Sequence, residues 1–268
     1  MNETPVLRTL LVQARLNWKN PAENRQHLEN RMAQCEHPFD LAVFPETFTT
    51  GFLGDPDLPS EGMDGPTVDW MRRQAQLYDS ALAGSAVIIE DGKRFNRFLF
   101  ATPNGEVRHY DKRHLFGYGG ETERYSAGHQ RVVWDYRGWR ICPQVCYDLR
   151  FPVWCRNRGD YDLLVFVANW PRGRVQHWIS LLQARAIENQ AWVVGVNRAG
   201  EDGKGIAYPG HSQVYDPLGV LMADLGEIEE SRLLTLDRDE VVRNRETFPF
   251  QDDADPFTLG LSKATLIN

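Results

Sequence analysis

The sequence predicts an α/β fold in which two packed sheets of mixed strand direction carry helices on their outer faces. Roughly ten aliphatic or β-branched runs of strand length recur along the chain, with turn chemistry between several of them. Helical patterns fall between the strands instead of in a separate half, so both kinds of element share one architecture. Hairpin signals such as PNGE and YRGW imply antiparallel neighbours, while helix-linked strands imply parallel ones.

In chain order, TLLVQARL opens the pattern as a strand, followed by a helical stretch over 20–36 and the short strand LAVFPE. A second helix is predicted over 66–79, where Pro66 fits the first turn and Met71, Ala75 and Tyr78 continue one inward face. ALAGSAVIIE, RFLFATP and EVRHYD follow as strands, then VVWDYRG and WRICPQV around the YRGW turn. A helix over 153–159 precedes DLLVFVANW. The helix over 175–190 sets Val175, Trp178, Ile179, Leu182, Ala186 and Ile187 three and four residues apart, a single apolar stripe suited to lie on a sheet. AWVVGVNR, SQVYDPLG and RLLTLDRD complete the strands. No repeat, low-complexity tract or Gly/Ser linker divides the chain, which reads as one domain over 1–268 with the acidic, aperiodic stretch 249–268 as a C-terminal arm or tail.

A length of 268 residues with 42% hydrophobic content provides for a large core, and a formal net charge of −7 argues against a nucleic-acid partner. The pair Arg172 and Arg174 is too small a basic cluster to reverse that reading and suits a solvated surface, with a substrate or subunit contact as the alternative. No run approaches the roughly 18 apolar residues of a membrane span. Glu3 and Arg8 interrupt the place where a signal peptide needs continuous apolar sequence, so the cytoplasm is the expected location. Four cysteines, Cys35, Cys142, Cys146 and Cys155, make no disulfide framework. Cys142 and Cys146 are one residue too far apart for the C-x-x-C redox motif, and no second pair completes a zinc site.

Three reactive residues stand where predicted strands end: Glu46 after LAVFP, Lys112 after EVRHYD and Cys146 after WRICPQV. A buried strand fixes the backbone while its end emerges at the rim, so side chains distant in sequence can converge there with little freedom. Taken singly, each has a bland role: a solvated loop carboxylate, a surface ammonium, a small buried hydrophobe. Their motif context separates them from those roles.

FPETFTTGF around Glu46, YDKRHLF around Lys112 and CPQVCYDLRFP around Cys146 resemble the three signature segments of the nitrilase, or carbon-nitrogen hydrolase, superfamily, in order and spacing. The resemblance continues through ANWP, LLQARAIENQAWVVGVNRAG and GHSQVYDPLG, covering nearly the whole chain. It implies an alpha-beta-beta-alpha sandwich, assembled as a homodimer, with neither metal nor organic cofactor. It also implies roles: Cys146 as nucleophile, Glu46 as general base, Lys112 as the ammonium that stabilises an oxyanion, and Glu121, in ETERYSAG, as a further carboxylate holding Lys112; Glu123 is the neighbour that could be mistaken for it.

These residue types suit amide cleavage. An unperturbed thiol titrates near 8.5, so Glu46 can drive Cys146 only if burial raises its own proton affinity or a cation such as Lys112 stabilises the thiolate. Attack on an amide carbonyl puts negative charge on oxygen, which Lys112 and a backbone N–H, that of Tyr147, would stabilise. CYDLRFP, ANWP and ARAIENQ resemble most the omega-amidase branch, which implies a 2-oxo-dicarboxylic monoamide such as 2-oxoglutaramate as substrate. Its carboxylate calls for a cation or backbone donors besides Lys112, for which Arg150 is the candidate, with a structural ion pair beneath the site as the alternative. Phe116, Tyr118, Tyr125 and Trp170 follow the signature segments and are candidates for a small water-poor pocket.

Rival readings keep the thiol but change the substrate to a nitrile, an N-carbamoyl compound or another aliphatic amide. More distant ones make Cys142 and Cys146 a redox or thiol-binding module, or make the sandwich a noncatalytic interaction protein. His114, His129, His177 and His211 carry no motif that would pair them with Cys146.

Overall fold

The computed structural model describes residues 6–51 and 57–258; Glu3 and the end of the predicted arm, 259–268, lie outside the described residues. The first sheet collects β1 (Val6–Gln13), β2 (Leu41–Val43), β3 (Ala81–Glu90), β4 (Lys93–Ala101), β5 (Val107–Asp111) and β14 (Glu230–Asp237), in the order β14-β1-β2-β3-β4-β5. The second collects β6 (Trp134–Tyr136), β7 (Trp139–Val145), β8 (Leu163–Ala168), β9 (Trp192–Asn197), β12 (Gln213–Tyr215) and β13 (Leu221–Asp224), in the order β13-β12-β9-β8-β7-β6. Each has three parallel strands at its centre and antiparallel neighbours outside: β1, β2 and β3 in one, β7, β8 and β9 in the other. A small hairpin of β10 (Ala199–Glu201) and β11 (Ala207–Pro209) stands apart from both.

Three apolar layers hold the sandwich. Leu7, Val43, Phe98 and Phe100 of the first sheet meet Trp139, Val165, Trp192 and Val194 of the second, and none of these is more than 1% exposed. On the outer face of the first sheet, α1 (Pro21–Ala33) and α2 (Pro66–Tyr78) bury Leu28, Met32, Val68 and Met71. On the outer face of the second, α4 (Val175–Asn189) buries Trp178, Leu182 and Ala186. This is the predicted α-β-β-α arrangement, produced by opposite-face alternation along strands and by helices with one apolar stripe. The fit on β9 is close: a Cβ on Gly195 would stand 2.5 Å from Leu182 Cδ1 and 2.8 Å from Trp178, so only glycine lets α4 lie so near the sheet.

The helix ends follow local chemistry. Asn20 accepts from Glu23 N at the start of α1, with Pro21 in the first turn, and left-handed Asp79 and Gln190 close α2 and α4. Two predictions change. The helix expected over 153–159 is a single turn, α3 (Pro152–Cys155), because Asn157 stops it: its Oδ1 accepts from Asp160 N and its Nδ2 donates to Tyr161 O and Asn189 O. The last strand ends at Asp237, whose side chain accepts from Asp239 N and starts an unpredicted helix, α5 (Arg238–Thr247). That helix buries only Val241 and so shows almost no apolar period. Beyond it, the described part of the predicted arm, 249–258, is irregular apart from one 3₁₀ turn, with Arg158 resting on the Phe257 ring. Among the described residues no helix is long and apolar enough to cross a membrane, and no cluster of His, Cys, Asp and Glu could hold a metal ion.

Candidate active site

Glu46 stands three residues after β2, Lys112 directly after β5 and Cys146 directly after β7. The first two leave one sheet and the third leaves the other, so the group straddles the seam between the sheets. Glu46 is fully buried, and both carboxylate oxygens are held. Oε1 accepts from Lys112 Nζ at 2.9 Å and from Asn96 Nδ2, on β4, at 2.7 Å. Oε2 accepts from the backbone N–H of Asn169 at 2.8 Å, just beyond the end of β8. Asn169 Nδ2 also donates to Glu46 O and Thr47 Oγ1, pinning the backbone as well as the side chain.

Lys112, 1% exposed, reaches a second carboxylate: its Nζ donates to Glu121 Oε1 at 2.8 Å. Glu121 Oε2 in turn accepts from Phe116 N at 2.7 Å, which fastens the loop of 3₁₀ turns over 117–123 to the ammonium. Gly128 N donates to Lys112 O at 2.9 Å, bringing the two segments into very close approach.

Cys146 lies between β7 and a 3₁₀ turn at φ +45°, a left-handed conformation costly for a non-glycine residue. The turn is held by Asp148, whose carboxylate accepts from Val145 N, Tyr110 Oη, His114 N and His114 Nδ1 at 2.7–3.0 Å. Since Tyr110 is on β5 and His114 follows it, one carboxylate ties the cysteine turn to the segment bearing Lys112.

The electrostatics follow from this packing. Burial alone would lower the proton affinity of Lys112, but the charges of Glu121 and Glu46 outweigh it and hold the ammonium well above the ordinary lysine range. Glu121 is pushed up by burial more than Lys112 pulls it down. The Cys146 thiol is raised well above its usual value by burial and by the Glu46 charge, which together exceed the help from Lys112. The resting sulfur is therefore a thiol, because burial, with the Glu46 charge added, outweighs the support that Lys112 gives a thiolate.

A cavity of about 360 Å³ opens onto Lys112 and Cys146. Phe116, Tyr118, Tyr147, Arg150 and Trp170, named from the sequence, all line it. Tyr125 does not: it is 6% exposed and packs with Leu58, Val87 and Leu115, because its N–H bonds back to Glu121 O and turns the ring away into that cluster. Arg150 has no carboxylate partner among the described residues; Nη2 lies 3.2 Å from His177 Nδ1 and the guanidinium stacks 4.7 Å over Trp170, so the structural ion pair considered for it is not what holds it. Arg174, which composition assigned to the surface or to a contact, also lines the cavity, as do Lys204, Ile206 and Tyr208 from the β10–β11 hairpin.

The other cysteine and histidine readings find little geometry. Cys142 is fully buried and its thiol is pushed up to about 11 by burial, which suits packing rather than exchange with Cys146. His114 and His211 face Asp148 and Asp224, His129 faces Arg113, and none of the four histidines lines the cavity. Asn96, Asn169 and Asp148 were not singled out in the sequence. A polar residue inside the apolar run RFNRFLF was the available signal for Asn96, whereas the role of Asp148 depends on partners 34 and 38 positions away.

Residues 9–246 match the family model for carbon-nitrogen hydrolase. The omega-amidase YafV of Escherichia coli strain K12 is 44% identical over 95% of this chain and 99% of its own length. The 2-oxoglutaramate amidase of Bacillus subtilis is 31% identical over 89% of this chain and 93% of its own. Among solved structures, a CN-hydrolase superfamily protein of Xanthomonas campestris, crystallised with an arsenic adduct in its active site, superposes with a TM-score of 0.93 at 45% identity, covering 96% of this chain and all of that one.

Proposed function

This chain belongs to the carbon-nitrogen hydrolase family, and from that premise we propose that it is an omega-amidase, hydrolysing the terminal amide of 2-oxoglutaramate or a similar 2-oxo-dicarboxylic monoamide. The observation that carries the reading is the buried group in which one ammonium joins two carboxylates beside a thiol at the mouth of a cavity. The omega-amidase YafV and 2-oxoglutaramate amidase relatives supply the substrate class.

In the proposed reaction Cys146 Sγ attacks the amide carbon while Glu46 takes the thiol proton, since the thiol is the resting form. The carbonyl oxygen becomes an oxyanion facing Lys112 Nζ, with Tyr147 N–H as second donor. Such a donor contributes about 3–4 kcal/mol to lowering the barrier. Glu46 passes its proton to the amide nitrogen, the C–N bond breaks, and ammonia leaves a thioester on Cys146. Water activated by Glu46 then breaks the C–S bond, releasing the acid and restoring the thiol. Glu121 keeps Lys112 charged and aimed throughout. Phe116, Tyr118 and Trp170 wall the substrate, and Arg150 faces its carboxylate.

The proposal extends to one catalytic domain over 1–268, with 249–268 as an arm, acting in the cytoplasm as a homodimer. A dimer is supported by the exposed apolar side chains Ile187 of α4 and Leu218, Val220, Leu221 and Met222 of the segment whose Gly219 packs against Ile187, from 47% to 68% exposed. Ammonia release from 2-oxoglutaramate, glutamine, a nitrile and an N-carbamoyl amine, measured side by side with Cys146→Ser as control, tests the substrate. The oxo-acid amide is expected to have the highest kcat/KM; a preference for the nitrile or the N-carbamoyl amine refutes the assignment.

A further inference from the structure

We propose that Arg174 is a specificity-determining residue that joins Arg150 in binding the carboxylate at the far end of an anionic amide substrate, an inference that rests on the amidase reading above. The cavity is lined by Lys112, Arg150, Arg174 and Lys204 and by no Asp or Glu among the described residues, although the chain as a whole has a net charge of −7. Lys112 is committed to Glu46 and Glu121. Arg172, only two residues before Arg174, is spent on Glu227 through two hydrogen bonds of 2.8 Å. Arg174, like Arg150, has no carboxylate partner among the described residues. Its guanidinium instead stacks 5.4 Å over the Phe116 ring, and its carbonyl accepts from Trp170 Nε1 at 2.7 Å, which sets its backbone.

The two arginines face a common ring of aromatics. Arg150 lies over Trp170 and Tyr147, Tyr147 meets Phe116 at 5.1 Å, Phe116 lies under Arg174, and Trp170 closes the circuit through its bond to Arg174 O. A planar fork held on a ring face loses little freedom when a carboxylate arrives, and the apolar wall strengthens the pairing. Arg174 also rests on the residue whose N–H holds Glu121, so the anion is gripped next to the segment that orients Lys112.

The test compares glutaramate with pentanamide, which differ in a terminal carboxylate against a methyl group, in the wild type, Arg174→Gln and Arg174→Lys. Arg174→Gln is expected to lower kcat/KM for glutaramate about 10- to 100-fold, the range of a lost charge-assisted hydrogen bond, mainly through KM, and to change pentanamide by less than about twofold. Arg174→Lys should fall between, keeping the charge without the fork. Glutarate should raise the thermal midpoint of the wild type and not that of Arg174→Gln, a readout that needs no turnover. An equal loss on both substrates, or no loss on either, in an otherwise active enzyme overturns the role of Arg174 and leaves the amidase reading intact. A wild type that releases ammonia from neither glutaramate, pentanamide nor 2-oxoglutaramate overturns the reading and this inference with it.

Discussion

Gly128→Ala is expected to damage catalysis from outside the cavity. A Cβ at position 128 would stand 2.0 Å from Asp111 O and 2.8 Å from Asp111 C, whereas real Cβ contacts essentially never fall below 3.0 Å, so backbone must separate by about 1 Å. The clash is with main chain, which has no rotamer to escape into. Gly128 N donates to Lys112 O at 2.9 Å, so that displacement is delivered to the next residue along. Moving Lys112 by 1 Å would stretch bonds of 2.9 and 2.8 Å, to Glu46 and Glu121, beyond hydrogen-bonding range. An error of that size in a catalytic group costs about 10²-fold in rate, and overpacking of this kind about 1–3 kcal/mol in stability. Steady-state ammonia release and urea unfolding measure the two effects: kcat should fall about 100-fold, with the protein still folded. If kcat stays within about threefold of wild type while stability drops as expected, Lys112 is positioned by something other than this close approach, and the reasoning is wrong.

Two further outcomes test the electrostatics. Glu46→Gln should lower amide turnover about 10²–10⁴-fold, as loss of a general base does, yet speed alkylation of Cys146 by iodoacetamide at pH 8, because burial still raises the thiol but the Glu46 charge that adds to it has gone. Slower alkylation in that variant would show that Glu46 does not hold the proton on sulfur. Asp162, 1% exposed, receives Arg140 at 2.6 Å, Arg238 at 3.0 Å and Arg245 at 3.5 Å, docking α5 onto the second sheet. Burial alone would raise its pKa, but the hydrogen bonds and charges of Arg140 and Arg238 hold it below the usual carboxylate range. A depressed carboxylate contributes stability that is complete above its unfolded value, near pH 4, and is lost as pH falls through the folded one. Asp162→Asn should cost about 2–4 kcal/mol at neutral pH and flatten the acid limb of the stability curve; an unchanged acid limb would exclude Asp162 as its source.

Much of the fold was legible from residue order. The apolar runs in TLLVQARL and DLLVFVANW, and the three-and-four spacing from Val175 to Ile187, are local signals of burial, and the layers they predict are the layers observed. The parts that did not show were those whose stability is not apolar. Helix α5 has charged faces and one buried side chain, and is held by Asp237 at its start and by Asp162 at its side. The stretch 153–159 loses its helix to Asn157, whose amide bonds to residues 4 and 32 positions away.

The same division runs through the site. Residue order was enough to name the groups present: an acid, a base and a thiol, each set at a strand end, within motifs whose family resemblance assigned them roles. The resemblance had already chosen Glu121 over Glu123 as the partner of Lys112, but packing alone turns Tyr125 into a separate apolar cluster, brings Arg174 round to the cavity, and sets Asn96, Asn169 and Asp148 to hold the reacting groups. The physical reason is range. Apolar periodicity is written within a few neighbouring residues, whereas a hydrogen bond or a shifted proton affinity depends on which distant charges and dipoles packing brings within about 3 Å.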